Sequence, residues 1–184
     1  MIKLGVVSDS HQNTDNLSKA VRYLIEEKQI QKLAHLGDYY EDMDKIEGIE
    51  GLSEMEILKV PGSHHYQYSS SEVMKRIKIN FGDLRFLITH VPRKHQNDSV
   101  CDISIENMIA NKEIDVLLYG HTHEFKINYN NDSNVLYVNP GHLKDFDEQG
   151  TPPTFAYMEI DSSSIYIAIY NLVFVSLLER RYII

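Results

Sequence analysis

The chain has 184 residues, 42% of them hydrophobic, which predicts one globular domain with a sizeable core. Its formal net charge of −9 at pH 7 argues against tight binding to long nucleic acids, because an acidic surface repels phosphate backbones. No stretch reaches the roughly 18 apolar residues that a membrane-spanning helix needs, and no secretory signal is visible. The single cysteine, Cys101, excludes an internal disulfide and is interpreted as a buried or loop thiol rather than a nucleophile. These features predict a cytoplasmic protein without a membrane partner.

The first half of the chain alternates short apolar runs with a helical pattern, as βαβ units do. A strand is predicted over residues 2–7, followed by a helix with Asn13 or Thr14 as its N-cap and Asp15 in its first turn. Further strands are predicted over residues 33–36 and 55–60. The acidic segment between them contains Glu41, Asp42 and Asp44 and is interpreted as a solvated face or helix start rather than as a source of ligands.

The second half favours antiparallel hairpins. One pairs residues 73–81 with 84–89, another 125–129 with 135–138, and a third 155–160 with 165–170. A helix over residues 103–111 and a strand over 116–119 lie between them. This order predicts an α/β fold: an α/β/β/α sandwich of two mixed β-sheets flanked by helices, in one domain over residues 1–184. The tail, residues 172–184, could be a last helix docked on the sheet, and we favour core packing over partner binding for it.

Acidic and imidazole side chains follow four of the predicted strands. Asp9 and His11 come after the first strand, and His121 and His123 after the strand over residues 116–119. Residues two apart project to the same side of an extended or turning backbone. Asp38 follows the second strand and His90 follows residues 84–89. A single histidine in such a position is more often structural, but ligands bind at this edge of open α/β sheets. The coincidence therefore predicts a site for one or two divalent cations, of a kind that suits manganese, iron, zinc or nickel better than calcium.

Five short motifs in this order resemble the calcineurin-like metallophosphoesterases, in particular the small single-domain phosphodiesterases of bacteria and archaea. The likeness runs from Met1 to about Ile169 and includes the turn Asn139-Pro140-Gly141. The motifs are Asp9-x-His11, Gly37-Asp38, Gly62-Ser63-His64-His65, Thr89-His90 and Gly120-His121-x-His123.

The resemblance implies two divalent metal ions, for which manganese is the first expectation. Asp9, His11 and His123 would hold the first ion, His90 and His121 the second, and Asp38 would bridge the two. Two cations about 3.5–4 Å apart lower the pKa of a bridging water, so that hydroxide can attack phosphorus. The implied reaction is hydrolysis of a small-molecule phosphoester, most readily a small or nucleotide-like phosphodiester.

One motif departs from the family, which usually has Gly-Asn-His-Asp where this chain has Gly62-Ser63-His64-His65. Ser63 takes the place of the asparagine that binds the second metal, and its hydroxyl is a weaker ligand. The resemblance gives His64 a catalytic role beside Asp38, because its imidazolium could protonate the leaving group. His65 cannot orient that imidazole as the usual carboxylate would. It could instead have moved into the vacant coordination position.

Two functions remain open at this stage. The first is a phosphodiesterase, in which Arg93, Lys94 or His95 could contact a phosphate outside the metal site, although an exposed polar loop is the simpler interpretation for each. The alternative is a catalytically weak interaction scaffold with the phosphoesterase fold, as in the phosphoesterase-like subunit of the retromer coat. The tail over residues 172–184 would be its candidate contact surface. The native metal and the oligomeric state are left open.

Overall fold

A computed structural model describes residues 1–70, 72–99, 102–145 and 150–183. The interpretation of Cys101 lies outside these residues. Among the residues described, no helix combines the length and apolar character needed to cross a membrane. The elements in chain order are β1 (Ile2–Val7), α1 (Thr14–Glu26), β2 (Lys32–His35), a short 3₁₀ helix (Tyr40–Ile46), β3 (Glu56–Lys59), β4 (Arg76–Phe81), β5 (Leu84–Thr89), α2 (Ile105–Ala110), β6 (Val116–Leu118), β7 (Lys126–Asn130), β8 (Val135–Asn139), β9 (Thr154–Ile160), β10 (Ser164–Asn171) and β11 (Ser176–Ile183).

Two mixed sheets pack face to face, which confirms the predicted sandwich. The first has six strands in the order β11-β10-β9-β1-β2-β3, and the second has five in the order β4-β5-β6-β8-β7. Within the first sheet β1, β2 and β3 are parallel, whereas β9, β10 and β11 run antiparallel. In the second sheet β5, β6 and β8 are parallel to one another. The parallel strands of both sheets therefore end at one edge of the sandwich, where the ligand-type residues follow.

Apolar side chains form three packed layers, one between the two sheets and one on the outer face of each sheet. The inner faces of the sheets bury the central core, which includes Val6, Phe86 and Ile167. Helix α1 covers the outer face of the first sheet with Leu17 and Leu24, among others. It begins at Asn13, one of the two predicted caps, whose side chain accepts a hydrogen bond from the Asn16 N–H at 3.0 Å. Helix α2 covers the outer face of the second sheet. The helices fix the sheets from outside and leave the strand ends open.

The tail is a strand and not the helix that the sequence suggested. β11 pairs antiparallel with β10, so that Leu178 lies opposite Ile169 and Tyr182 opposite Ile165. Leu178 and Tyr182 pack against the central core. Without β11 the hydrogen-bonding edge of β10 would be open, and pairing of the backbone groups outweighs the local helical tendency of the tail. Two of its side chains thus pack on the core, whereas the predicted helix was wrong.

A buried ion pair ties the second sheet to the loop after β5. The side chains of Arg76 and Asp98 are only 2% and 3% exposed. Asp98 accepts a hydrogen bond from Arg76, one from the Tyr68 hydroxyl at 2.8 Å and one from the His95 N–H at 2.9 Å. These contacts, with burial opposing them, lower the pKa of Asp98. The loop over residues 91–99 is thus held at a fixed distance from the strand ends.

Asp98→Ala should lower the free energy of unfolding by about 3–5 kcal/mol, because the variant leaves the Arg76 charge buried without its partner. Urea denaturation of the metal-free protein measures this. Glu113→Ala is the matched control, since Glu113 pairs with Lys78 on the surface, where both side chains are more than 40% exposed. Equal small effects of the two substitutions would contradict a structural role for the buried pair.

Candidate metal centre

The loops that carry the candidate ligands turn through a left-handed backbone. The φ angles of Asp9, His11 and Asp38 are 53°, 46° and 47°. Those of His121 and His123 are 67° and 61°. Such angles are uncommon outside glycine and cost on the order of 1–3 kcal/mol each. A turning backbone therefore directs the ligand pairs, one of the two geometries that the sequence allowed.

Backbone hydrogen bonds between the loops hold these conformations. The Asp9 N–H donates to the Gly37 carbonyl at 3.0 Å, and the Gly120 N–H donates to the His90 carbonyl at 3.0 Å. The Leu143 N–H donates to the Asp9 carbonyl at 3.1 Å. Each strand end is thereby fixed by a neighbouring one, so the side chains are positioned by both sheets together.

A first group of ligand atoms lies at the centre of the site. Its four members each offer an atom within 4.8 Å of the others; they are Asp9, His11, Asp38 and His123. His11 Nε2 is 3.2 Å from His123 Nε2 and 3.7 Å from Asp38 Oδ2. His123 Nε2 is 3.3 Å from Asp9 Oδ1. Two ligands of one ion, each about 2.1 Å from it, are separated by about 3.0–3.4 Å. Three of these atoms could therefore hold one cation with little movement.

Asp9 is the buried carboxylate of this group. Its Oδ2 accepts hydrogen bonds from the Ser8 hydroxyl and from the His121 N–H, the latter at 3.1 Å. Within the described residues, Oδ1 accepts none although it is buried. Burial raises its pKa, but His123, His90 and the Ser8 hydroxyl outweigh that effect and lower the pKa of Asp9 to about 2. An ionised oxygen that is buried and has no donor is what a cation ligand requires.

A second group lies on the other side of Asp38. His90 Nδ1 donates to the Leu36 carbonyl at 2.8 Å, which leaves the lone pair on Nε2. That Nε2 is 3.2 Å from His121 Nδ1 and 3.4 Å from Asp38 Oδ1. The two oxygens of Asp38 therefore face different imidazole groups, Oδ2 the first and Oδ1 the second. Burial lowers the pKa of both His11 and His121, so these imidazoles are neutral near pH 7 and can act as ligands.

Two glycines leave space for the carboxylates. A Cβ on Gly62 would lie 1.7 Å from Asp38 Oδ1. A Cβ on Gly120 would lie 2.0 Å from the Ser8 hydroxyl oxygen and 2.6 Å from Asp9 Oδ2. Any side chain at either position would displace a candidate ligand. Oxygen and nitrogen donors without thiolate, a buried acceptor without a donor, and these two cradles together fit a divalent cation site.

The three side chains of the altered motif, at positions 63–65, lie in different environments. Ser63 is fully buried, and within the described residues its hydroxyl has no hydrogen-bond partner. His64 is exposed, and its ring meets that of His95 edge-on at 5.6 Å. His65 Nδ1 accepts a hydrogen bond from the Gln67 N–H, and its ring packs against two tyrosines, Tyr40 and Tyr66. The structure thus places His65 against tyrosines rather than in either ligand group.

The sequence matches the model of the Calcineurin-like phosphoesterase superfamily domain over residues 2–163. The chain belongs to this superfamily. The match supports a hydrolase that acts on phosphoesters, and it covers all six carboxylate and imidazole positions of the two groups.

Individual relatives agree with the superfamily assignment. Phosphodiesterase MJ0936 of Methanocaldococcus jannaschii is 29% identical over 150 residues, which cover 76% of this chain and 83% of that protein. A predicted phosphoesterase of Streptococcus pneumoniae TIGR4 has a TM-score of 0.68 at 19% identity and covers 100% of this chain and 98% of its own. Vps29 of Chaetomium thermophilum has a TM-score of 0.70 at 16% identity, with coverage of 100% and 99%. The two structures establish the common fold.

Asp42 is a supporting residue that the sequence interpretation missed. It lies in the first turn of the 3₁₀ helix, as the helix-start interpretation allows, but it is fully buried rather than on a solvated face. Its Oδ2 accepts hydrogen bonds from the Ser10 hydroxyl and the Gln12 N–H, both at 2.8 Å. Lys45 donates to Oδ1 at 2.7 Å from the surface. Asp42 therefore fixes the strained loop that carries Asp9 and His11.

Asn139 has the equivalent role for the other ligand loop. Its Nδ2 donates to the Gly120 carbonyl at 2.9 Å and to the Thr122 hydroxyl at 3.0 Å. Its Oδ1 accepts from the Gly141 N–H at 2.8 Å. The sequence identified Asn139-Pro140-Gly141 as a turn of this family, and the contacts explain why an amide stands there. It connects the end of β8 to the loop that carries His121 and His123.

Asp42→Ala should weaken manganese binding by about 10–100-fold, the usual effect of removing a contact that supports a metal ligand. Isothermal titration of the metal-free protein with manganese measures the affinity. Asp42→Asn keeps one acceptor and should lose less, whereas Lys45→Ala removes only the exposed partner of Asp42 and should bind normally. An unchanged affinity in a folded Asp42→Ala variant would show that the loop holds its shape without this carboxylate.

Proposed function

We propose that this protein is a dinuclear metal-dependent phosphodiesterase acting on small or nucleotide-like phosphodiesters. The observation that carries the proposal is the position of Asp38, whose Oδ2 lies 3.7 Å from His11 and whose Oδ1 lies 3.4 Å from His90. A carboxylate between two imidazole groups suits a pair of cations better than a single one. The named activity of the Methanocaldococcus jannaschii relative supports a phosphodiester as the substrate.

Manganese is our proposed metal, because the donors are carboxylate oxygens and imidazoles without thiolate. Zinc is the main competitor, and one structural neighbour, Vps29 of Entamoeba histolytica, is described in complex with Zn²⁺. We propose Ser63 as a weak further ligand of the second site, since its buried hydroxyl has no hydrogen-bond partner among the described residues. The cytoplasm remains the expected location.

The protein side chains would prepare the site for a charged substrate. Bound divalent cations would supply Lewis acidity, which makes water a nucleophile near neutral pH and neutralises phosphoryl charge. Asp9 stays ionised because its pKa is about 2, and His11 and His121 stay neutral because burial lowers their pKa values. The Leu36 carbonyl fixes the tautomer of His90. Asp9, His11 and His121 are therefore in their metal-binding protonation states across the neutral range.

His64 is our candidate for the residue beside the leaving group. It is exposed, and its ring contacts that of His95, which in turn lies 5.9 Å from the ring of His121. This chain of rings leads from solvent to the second ligand group. His64 would donate a proton to the departing oxygen, a step that matters most for poor leaving groups. Position 65 is a histidine that packs on tyrosines, so it does not supply the carboxylate that would orient His64.

An interaction scaffold remains the second candidate function. The turn before β11 exposes apolar side chains, with Val173 71% and Val175 55% accessible. The likeness to Vps29 structures is compatible with such a role. The enzyme is favoured because five candidate ligands keep left-handed backbones and, within the described residues, a buried carboxylate oxygen of Asp9 has no donor.

The proposal is tested with bis(p-nitrophenyl) phosphate and p-nitrophenyl phosphate. Turnover should require manganese, stop with a chelator, and favour the diester, because a dianionic monoester brings one more charge to an acidic protein. Asp38→Asn should lower turnover at least about 100-fold, since even supporting contacts at metal sites contribute about 10–100-fold. Asp132→Asn, in an exposed turn, is the matched control. Turnover of Asp38→Asn equal to that of wild type, or wild-type turnover unaffected by chelator, would exclude the dinuclear enzyme.

Ser63→Asn should supply a carbonyl donor to the second site and lower the manganese concentration needed for half-maximal turnover by about 10-fold. His65→Ala should leave that requirement unchanged, because His65 packs on Tyr40 and Tyr66. Manganese titrations of both variants against wild type measure the effect. Loss of metal in His65→Ala alone would mean that His65 is the second-site ligand and would overturn the assignment of Ser63.

A further inference from the structure

A groove of about 550 Å³ opens beside the second ligand group. It runs from His121 and Thr122 along the loop over residues 91–96. Its size is within the usual range of small-molecule sites. Among the residues that the structure describes, no acidic side chain lines it, although the chain as a whole has nine more acidic than basic residues. The groove is therefore a place where an anion avoids the repulsion of the remaining surface.

Two adjacent cations, Arg93 and Lys94, stand exposed in this groove. Several other basic side chains are in ion pairs, such as Arg85 with Asp115 and Lys59 with Asp44. Within the part of the chain that the structure describes, neither Arg93 nor Lys94 has an ion-pair partner. An arginine whose guanidinium is free can bind a phosphate through two parallel hydrogen bonds.

The backbone under these cations is fixed before any ligand arrives. The Lys94 N–H donates to Glu106 Oε1 at 2.8 Å, and the His95 N–H donates to the buried Asp98 at 2.9 Å. Thr89 holds the Val91 carbonyl at 3.3 Å. A loop held by side chains from three directions has little backbone entropy left to lose on binding, so only the side chains of Arg93 and Lys94 have to be ordered.

The other side of the site is a poorer place for a second anion. A groove of about 320 Å³ lies beside His11 and contains Lys144, but Asp15 and Asp145 line it as well. Two carboxylates against one ammonium favour a neutral or cationic group there. The charges thus give the site a direction, with the anionic part of a substrate toward Arg93 and Lys94.

We infer that Arg93 and Lys94 form a second phosphate subsite, so that the preferred substrate is a phosphodiester with an additional phosphate group, of the nucleoside bisphosphate type. The inference rests on the proposed function, because the reacting phosphate must lie at the metal centre. The additional phosphate binds in the groove without reacting. It selects such substrates over diesters whose remaining groups are neutral.

Two p-nitrophenyl diesters test the subsite: thymidine 5′-(p-nitrophenyl phosphate) and the same compound with a 3′-phosphate. Water adds to the 5′ phosphorus and p-nitrophenolate leaves in both, so only the remote phosphate differs. The diester that carries the 3′-phosphate should have a kcat/KM about 10-fold higher than the other diester, mainly through a lower KM. Arg93→Ala/Lys94→Ala should reduce this ratio to about 1–2. Arg180→Ala/Arg181→Ala removes the same charge on β11 and should keep the ratio. A wild-type ratio near 1, or one retained in Arg93→Ala/Lys94→Ala, would overturn the inference.

Binding separates this inference from the proposed reaction. Titration calorimetry of the manganese-loaded protein should show thymidine 3′,5′-bisphosphate binding about 10-fold tighter than thymidine 5′-monophosphate. The difference should disappear in the Arg93→Ala/Lys94→Ala variant. If neither diester is hydrolysed but this difference is found, the subsite stands and the phosphodiesterase does not. If diesters are hydrolysed and the two nucleotides bind equally, the phosphodiesterase stands and the subsite is wrong.

Discussion

The concentration of acceptor atoms around Asp38 is the constraint on which the rest of this structure depends. Its two oxygens separate two imidazole groups, and a neighbouring oxygen of Asp9 is buried without a donor in the described chain. Facing lone pairs at about 3 Å repel each other unless a proton or a metal cation lies between them. The fold must therefore hold these groups together against their repulsion, and the loops around them show how it does so.

Strain in the ligand loops is balanced by contacts outside them. The left-handed backbones of the ligand residues are strained. Holding them in this conformation lowers the stability of the fold by a total on the order of several kcal/mol. Asp42 fixes one loop through Ser10 and Gln12, and Asn139 fixes the other through Gly120. Both are fully buried and face away from solvent. The candidate metal centre is thus supported by buried polar groups that lie outside the two ligand groups.

The geometry also explains how one altered motif can coexist with an intact remainder. Ser63 is buried next in sequence to Gly62, which leaves space for the Asp38 carboxylate, and His65 packs on aromatic neighbours. The hydrogen bonds that hold Asp9 and His90 come from Ser8, His121 and Leu36, which lie outside this loop. A change there can adjust the second site and the leaving-group side without dismantling the first group. The loop over residues 91–96 is anchored separately by Asp98 and Glu106, so its backbone is held by residues outside the altered motif.

Much of the fold could be predicted from local patterns. Period-two runs and turn residues marked the hairpins, the apolar stripe marked α1, and the order of elements indicated a two-sheet sandwich. The six ligand-type residues were visible because each follows an apolar strand. These features depend only on residues that are close in sequence, so they can be predicted without the tertiary structure. The prediction for the tail was wrong because its residues are compatible with a helix or a strand, and pairing with the open edge of β10 decides between them.

What only the tertiary structure decided are distances and environments between segments far apart in the chain. The sequence determined that aspartates and histidines stand at strand ends. The family resemblance implied that Asp38 lies between two groups, but nothing in the sequence determined that Asp42 is buried rather than solvated or that His65 faces tyrosines. Each of these depends on the register and packing of two sheets, which bring residues such as Asp9 and His123 within 3.3 Å across more than 100 positions of sequence. Local propensity carries no information about such pairs, because their energy exists only once the sheets have packed.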